Sequence, residues 1–153
     1  MLVSVHGPLI INDGTVITEK CIIGGPVPDA KDVTPYSEMD IDPIKTVIGS
    51  NVLILPHSEI HAGAVLHDAC IVESHALVTK AGSIGRHGKV CAGAMVTDSV
   101  RDWEVVFGCI NQRRRRTPIV EVEQARLKAM QRDRDATIMV LKASARAPVL
   151  RKK

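Results

Sequence analysis

The sequence predicts an all-β fold, a left-handed parallel β-helix of about four coils, followed by one C-terminal α-helix. Two observations predict the β-helix. An aliphatic residue recurs at every sixth position over nine consecutive blocks, and the fifth position of nearly every block is small. The nine aliphatic positions are Ile48, Ile54, Ile60, Leu66, Val72, Val78, Ile84, Val90 and Val96.

The strand period of two explains how these blocks fold. The fifth residue of one block lies two positions before the first residue of the next, so both side chains point to the same side of an extended segment. Three such strands close one triangular coil every eighteen residues, and stacked coils bury an aliphatic column. This hexapeptide pattern is an exception to the usual right-handed crossover between parallel strands.

The cysteines fit the same pattern. Cys21 and Cys70 fall on the small inward position, where a cysteine packs as a compact apolar residue. The four cysteines form no Cys-x-x-Cys pair, which favours a reduced, cytosolic compartment. No apolar stretch is long enough to cross a bilayer, and residues 1–7 lack the basic and apolar regions of a signal peptide, so we expect no membrane insertion.

The repeat also exists upstream, at Val5, Ile11, Ile17 and Ile23, and stops before Ile48. Residues 24–46 hold four prolines and five acidic residues, which cannot join a ladder of parallel strands. We therefore predict a β-helix over 1–112 with a protruding loop at 24–46. The loop is either a solvated insertion or a partner contact, with Asp29, Asp32 and Tyr36 as candidate binding residues.

After Arg101 the period fades. Asp102–Gly108 predicts a last strand, in which Val105 and Phe107 close the column with bulkier side chains. The region 113–153 predicts a basic turn, a helix and a frayed tail. Thr117 and Pro118 read as a helix start, and helical spacing of apolar residues continues to about Ala143.

Charge is unevenly distributed along the chain. Residues 1–100 carry six basic and eleven acidic side chains, whereas residues 101–153 carry fourteen basic and six acidic ones. The strongest basic run is Arg113, Arg114, Arg115 and Arg116. It reads either as a solvated turn or as a docking site for an acidic protein surface, because arginine forks bind carboxylates well. No aromatic residues interleave with it, so we do not expect nucleic acid binding.

The histidines decide between enzyme and scaffold. They are His6, His57, His61, His67, His75 and His87. A γ-class carbonic anhydrase takes two zinc-binding histidines from one chain, five residues apart. Pro56 and Ala62 stand five residues before His61 and His67, so the three ligands of a catalytic zinc are not assembled.

His57 and His75 are eighteen residues apart, so we expect them to stack on adjacent coils about 5 Å apart. An acyltransferase would use a histidine as general base, but no surrounding pattern singles one out. We predict no catalytic, cofactor-binding or metal-binding residue. A γ-carbonic-anhydrase-like or acyltransferase hexapeptide-repeat enzyme remains the alternative.

Five stretches together resemble one known family. They are GPLIINDGTVI, the proline-rich acidic insertion, VIGSNVLILPHSEIH, ACIVESHALVTKAGSIG and VVFGCINQRRRRT. On these, the chain from Gly7 to Arg116 is similar to the dynactin subunit 6 family, hexapeptide-repeat proteins of the dynactin pointed-end complex within the γ-carbonic-anhydrase-like superfamily.

The resemblance implies a non-catalytic structural subunit that is cytoplasmic and cytoskeleton-associated. Its partners would be the sister β-helix of dynactin subunit 5, the actin-related pointed-end subunit and the large zinc-bearing dynactin subunit. The implied role is support of dynein–dynactin cargo selection and microtubule-based transport. The family also implies about two further coils before Met1, and the basic extension beyond Ala143 has no counterpart in it.

Overall fold

The computed structural model describes residues 1–2, 7–25, 45–80, 82–108 and 111–146. The strands in these ranges are short because each spans one side of a coil. In chain order they are β1 (Leu9–Ile11), β2 (Val16–Ile17), β3 (Ile22–Gly25), β4 (Thr46–Ile48), β5 (Leu53–Ile54), β6 (Glu59–His61), β7 (Val65–Leu66), β8 (Ile71–Val72), β9 (Leu77–Val78), β10 (Ser83–Ile84), β11 (Lys89–Val90), β12 (Met95–Val96), β13 (Ser99–Val100), β14 (Glu104–Phe107) and β15 (Gln112–Arg115).

Each strand of the coils lies beside the strand three places later in the chain, and this arrangement creates three parallel sheets. The first sheet has the order β1-β4-β7-β10-β13, the second β2-β5-β8-β11-β14, and the third β3-β6-β9-β12. Partners in the middle coils are eighteen residues apart, as with Leu53 and Ile71. The predicted fold is therefore confirmed: three parallel sheets in register, followed by a single α-helix.

The insertion does not disturb this register. Ile11 pairs with Ile48, which lies 37 residues later. Partners in the middle coils lie eighteen residues apart, so the insertion adds nineteen residues to the first coil. The extra residues enter between β3 and β4. The predicted bounds 24–46 were too wide, because β3 continues to Gly25 and β4 begins at Thr46. Ladder hydrogen bonds carry the sheets further into the insertion than the apolar period alone indicates.

The aliphatic column forms as predicted. All nine repeat positions from Ile48 to Val96 are fully buried, and so are the small positions beside them. Cys21 and Cys70 lie in this core as free thiols. In seven of the nine blocks the fourth residue makes the corner and takes a left-handed backbone, as at Asn51, His57 and His75. Asparagine and histidine tolerate this conformation better than most residues do.

The last coil departs from the prediction. Ile84 pairs with Val100, and Val90 pairs with Val106, so partners here are only sixteen residues apart. The corner between β12 and β13 is two residues shorter than the others. Val106 is fully buried and extends the column, whereas Phe107 points outward. The prediction that Val105 and Phe107 close the column was wrong, because the register with Val90 selects the opposite face of the strand.

The basic run is also not a turn. Gln112–Arg115 forms β15, which pairs antiparallel with β14 in a hairpin. Gly108 and Asn111, with φ of 73° and 56°, supply the left-handed positions of the connection. A six-residue period cannot reveal this strand, since it runs against the direction of the coils.

The chain divides into two compact units, Met1–Pro118 and Ile119–Lys153. The second contains helix α1, Val120–Arg146, with Glu121 and Glu123 in its first turn. The Glu123 N–H donates to the Ile119 carbonyl at 3.2 Å, which makes Ile119 the N-cap instead of the predicted Thr117.

Candidate functional site

The N-terminal end of the coil stack exposes its apolar column. Ile11 lies in register with Ile48, yet Ile11 is 38 % exposed while Ile48 is 0 % exposed. Ile17 is likewise half-buried above the fully buried Ile54. The first coil thus presents inward-pointing isoleucines that no described strand covers.

The backbone at this end is only partly paired. Among the described residues, β1 pairs only with β4, and β2 pairs only with β5. The third sheet continues one residue further, because Leu2 bridges Ile23 and the Ile23 N–H donates to the Met1 carbonyl at 3.0 Å. Two of the three sheets therefore have no further described strand at this end.

At the C-terminal end of the coils, the hairpin adds β15 to the second sheet, and Arg113 links it to the first. Arg113 donates from Nη1 to the Ser99 carbonyl of β13 at 2.6 Å, pairs with Asp98, and lies 3.6 Å from the Glu104 carboxylate. Its planar fork reaches both the sheet edge and two acids, which a lysine could not do. Arg113 is therefore a structural residue of this end of the coils.

Arg116 anchors the other end of β15. Its Nη2 donates to the His87 carbonyl at 2.6 Å, and its guanidinium carbon lies 5.7 Å from the centre of the Trp103 ring. The Trp103 ring in turn stacks on the His87 ring. This aromatic stack was not predicted. The one sequence signal for it is their spacing. His87 and Trp103 are sixteen residues apart, which is the spacing of partners in the shortened last coil.

The two central arginines behave differently. Arg114 and Arg115 are exposed, and among the described residues neither side chain has a polar partner. Of the four arginines predicted to bind a partner, Arg113 and Arg116 therefore stabilise the fold, whereas Arg114 and Arg115 are exposed to solvent. Asp29, Asp32 and Tyr36 of the predicted loop lie outside the described residues.

The histidines are spread over the coil surface. His57 and His75 stack as predicted, with ring centroids 4.8 Å apart and planes 5° apart. His61 Nε2 lies 3.0 Å from Glu59 Oε1 on the same strand. In the part of the chain that the structure describes, no three His, Cys, Asp or Glu side chains come close enough to hold a metal ion.

His67 faces a shallow cleft of about 470 Å³ on the outside of the first sheet. The register partners Ser83 and Ser99 line it, together with Arg86 and Arg101. Asp102 is also present, but its Oδ1 accepts the Arg86 N–H at 2.8 Å. The cleft offers hydrogen-bond donors for a small anion.

The carboxyl group of Glu73 has a pKa that departs from its ordinary value. Burial raises the pKa of Glu73, but the hydrogen bond from Lys89, the Ala92 N–H and the charge of Lys89 together bring it below the ordinary value. Lys89 Nζ lies 2.6 Å from one carboxylate oxygen, and the Ala92 N–H donates to the other at 3.0 Å. Because both oxygens are engaged, Glu73 ties two coils together and is not a free general base.

Comparison with protein families gives one finding. Residues 45–80 match the family described as bacterial transferase hexapeptide (six repeats), which covers β4 to β9. The comparison with curated proteins gave no match. Within the described ranges, no helix is long and apolar enough to cross a membrane.

Proposed function

We propose that this chain is a non-catalytic structural subunit that stacks the open end of its first coil against a sister β-helix. The observation that carries the proposal is the exposure of Ile11, an inward-pointing column residue, above the fully buried Ile48. A half-covered aliphatic column loses roughly 25 cal/mol for each Å² of apolar surface left in water. A further coil placed on top would recover that free energy.

The strand edges favour the same partner. In a β-helix each coil forms hydrogen bonds only with its neighbours, so an end coil accepts another coil through backbone groups that are already aligned. β1 and β2 offer these groups next to the exposed isoleucines. A sister β-helix supplies both an aliphatic column and matching strand edges. A flat or purely polar protein surface supplies neither.

The resemblance gives this proposal its specific form. The sister β-helix would be dynactin subunit 5, and the pair would lie at the pointed end beside the actin-related subunit and the large zinc-bearing subunit. The chain would then support dynein–dynactin cargo selection and microtubule-based transport in the cytoplasm. Arg114 and Arg115 would serve as secondary contacts, since both are exposed and unpaired among the described residues.

Purification of the native complex tests the proposal. We expect the tagged chain to recover dynactin components, and Ile11→Glu to reduce their recovery by about tenfold or more because it puts a charge on the end of the column. Met95→Glu is the matched control, since Met95 is 39 % exposed on the outer face of β12. Circular dichroism of both variants verifies that they fold.

Recovery of a lone homo-oligomer without dynactin components would contradict the proposal. So would coordinates in which residues of the same chain cover Ile11 and the edges of β1 and β2. An enzyme would give a different result: zinc near one atom per chain that is lost on changing His61 or His67, or saturable binding of coenzyme A. Elemental analysis and coenzyme A titration of the purified chain distinguish these outcomes.

A further inference from the structure

The open edge of β15, at the C-terminal end of the coils, carries an inference beyond end-to-end stacking. Among the described residues β15 pairs only with β14, so no described strand lies on its other edge. We infer that this edge binds an acidic, extended peptide segment of a partner protein by strand addition. The site is separate from the first coil, so either proposal can fail without the other.

The hydrogen-bond pattern identifies which backbone groups are available. The Arg116 N–H donates to the Trp103 carbonyl at 2.7 Å. Antiparallel ladders alternate between hydrogen-bonded and non-hydrogen-bonded pairs. Gln112 and Arg114, an even number of residues from Arg116, therefore direct their backbone groups toward β14. The N–H and C=O of Arg113 and Arg115 point away from β14, toward an incoming strand.

The hairpin is held in place before any partner arrives. Arg113 binds the Ser99 carbonyl and the acids of Asp98 and Glu104, while Arg116 binds the His87 carbonyl. An edge fixed at both ends loses little conformational entropy when a strand is added, which favours binding.

The side chains define the chemistry of the partner. Arg114 and Arg115 are neighbours on a strand, so they project from opposite faces of the hairpin. Glu104 stands opposite Arg115 in register, but its Oε2 accepts the Arg101 N–H at 2.9 Å and lies near Arg113. Both positive charges therefore remain uncompensated by the described residues.

A partner strand with two adjacent acidic residues would place one carboxylate beside each of these arginines. Opposite-charge pairs across neighbouring strands stabilise the pairing. Cations on an edge strand also repel edges that lack acidic residues, so the same two arginines attract the acidic segment and exclude other strands.

The test uses the full chain and a labelled nine-residue peptide of threonine and valine with two adjacent central glutamates. The control peptide has the same charge but carries proline on both sides of the glutamates, which prevents strand pairing. Fluorescence anisotropy measures both affinities. We expect the proline peptide to bind at least about tenfold more weakly, because it loses backbone hydrogen bonds as well as strand geometry.

Two variants of one residue separate charge from backbone. Arg115→Gln removes the charge and should weaken binding by about threefold. Arg115→Pro also removes an N–H that β14 does not use, and it should weaken binding by about tenfold or more. Lys20→Gln, an exposed cation of the first coil, is the control and should leave the affinity unchanged.

Three results would overturn the inference. They are equal binding of the two peptides, equal affinity of Arg115→Pro and Arg115→Gln, and absence of saturable binding at low ionic strength. The peptide comparison uses the wild-type chain, so it remains decisive if Arg115→Pro does not fold.

Discussion

The Trp103 indole stacks on the His87 imidazole, with ring centroids 4.2 Å apart and planes inclined by 16°. Arg116 approaches the same indole and donates to the His87 carbonyl. This contact joins the last corner of the coil to the end of β15. One end of the hairpin is therefore held by an aromatic residue, in a chain that has only three.

Removal of this ring should destabilise the chain measurably. We expect Trp103→Ala to lower the free energy of unfolding by about 1–3 kcal/mol, because it loses the stacking and the cation–π contact. Trp103→Phe keeps an aromatic face and should lose less. Urea unfolding followed by far-UV circular dichroism measures both. A loss below about 0.5 kcal/mol for the alanine variant would show that the stack is not structural.

The register of the last coil predicts different costs for two neighbouring valines. Val106 is fully buried and Val105 only half-buried. Val106→Ala should cost about 2 kcal/mol, since it leaves a cavity at the end of the column. Val105→Ala should cost less than about 1 kcal/mol. Denaturant unfolding of the pair decides the register, and the reverse order would restore Val105 as the inward residue.

The Glu73–Lys89 pair predicts a dependence of stability on pH. Because the folded state lowers the pKa of Glu73, its contribution is complete above the pKa of the unfolded chain and is lost as pH falls through the folded pKa. We expect Glu73→Gln to cost about 0.5–1 kcal/mol at pH 7 and almost nothing below the folded pKa.

Lys89→Met provides the control for this pair. In a double-mutant cycle the two substitutions should be non-additive at pH 7, because each removes the same interaction. Additive costs at neutral pH, or a Glu73→Gln deficit that persists in acid, would assign the effect to something other than the ion pair.

The close approach of two coils predicts a cost at Gly85. A Cβ on Gly85 would lie 2.5 Å from Asp102 Oδ1 and 2.6 Å from the Asp102 backbone nitrogen. Gly85→Ala should therefore destabilise the chain by about 1–3 kcal/mol, since the backbone itself must move. Gly93→Ala is the comparison: its φ is +68° and its Cβ would meet nothing within 4 Å, so it tests backbone strain alone. Thermal unfolding that leaves Gly85→Ala unchanged would contradict the overlap.

The sequence predicts the position of the basic run, but it does not predict which of its arginines stabilise the fold and which are exposed. The four arginines stand out in the sequence as one basic run. Only the structure shows that Arg113 and Arg116 tie β15 to the last coils, while Arg114 and Arg115 are exposed. The partners that make this distinction, such as Ser99 and His87, lie far away in sequence.

The sequence alone determined the stacked coils, the buried aliphatic column and the pairing of His57 with His75. These follow from a local period, because a residue's place within six decides whether it points inward, outward or into a corner. Tertiary structure decided the shortened last coil. Val105, Val106 and Phe107 are all apolar, so either face of the strand was acceptable until pairing with Val90 selected one. It also decided the hairpin and the exposure of Ile11 in the first coil, since both depend on which strands find a neighbour in space.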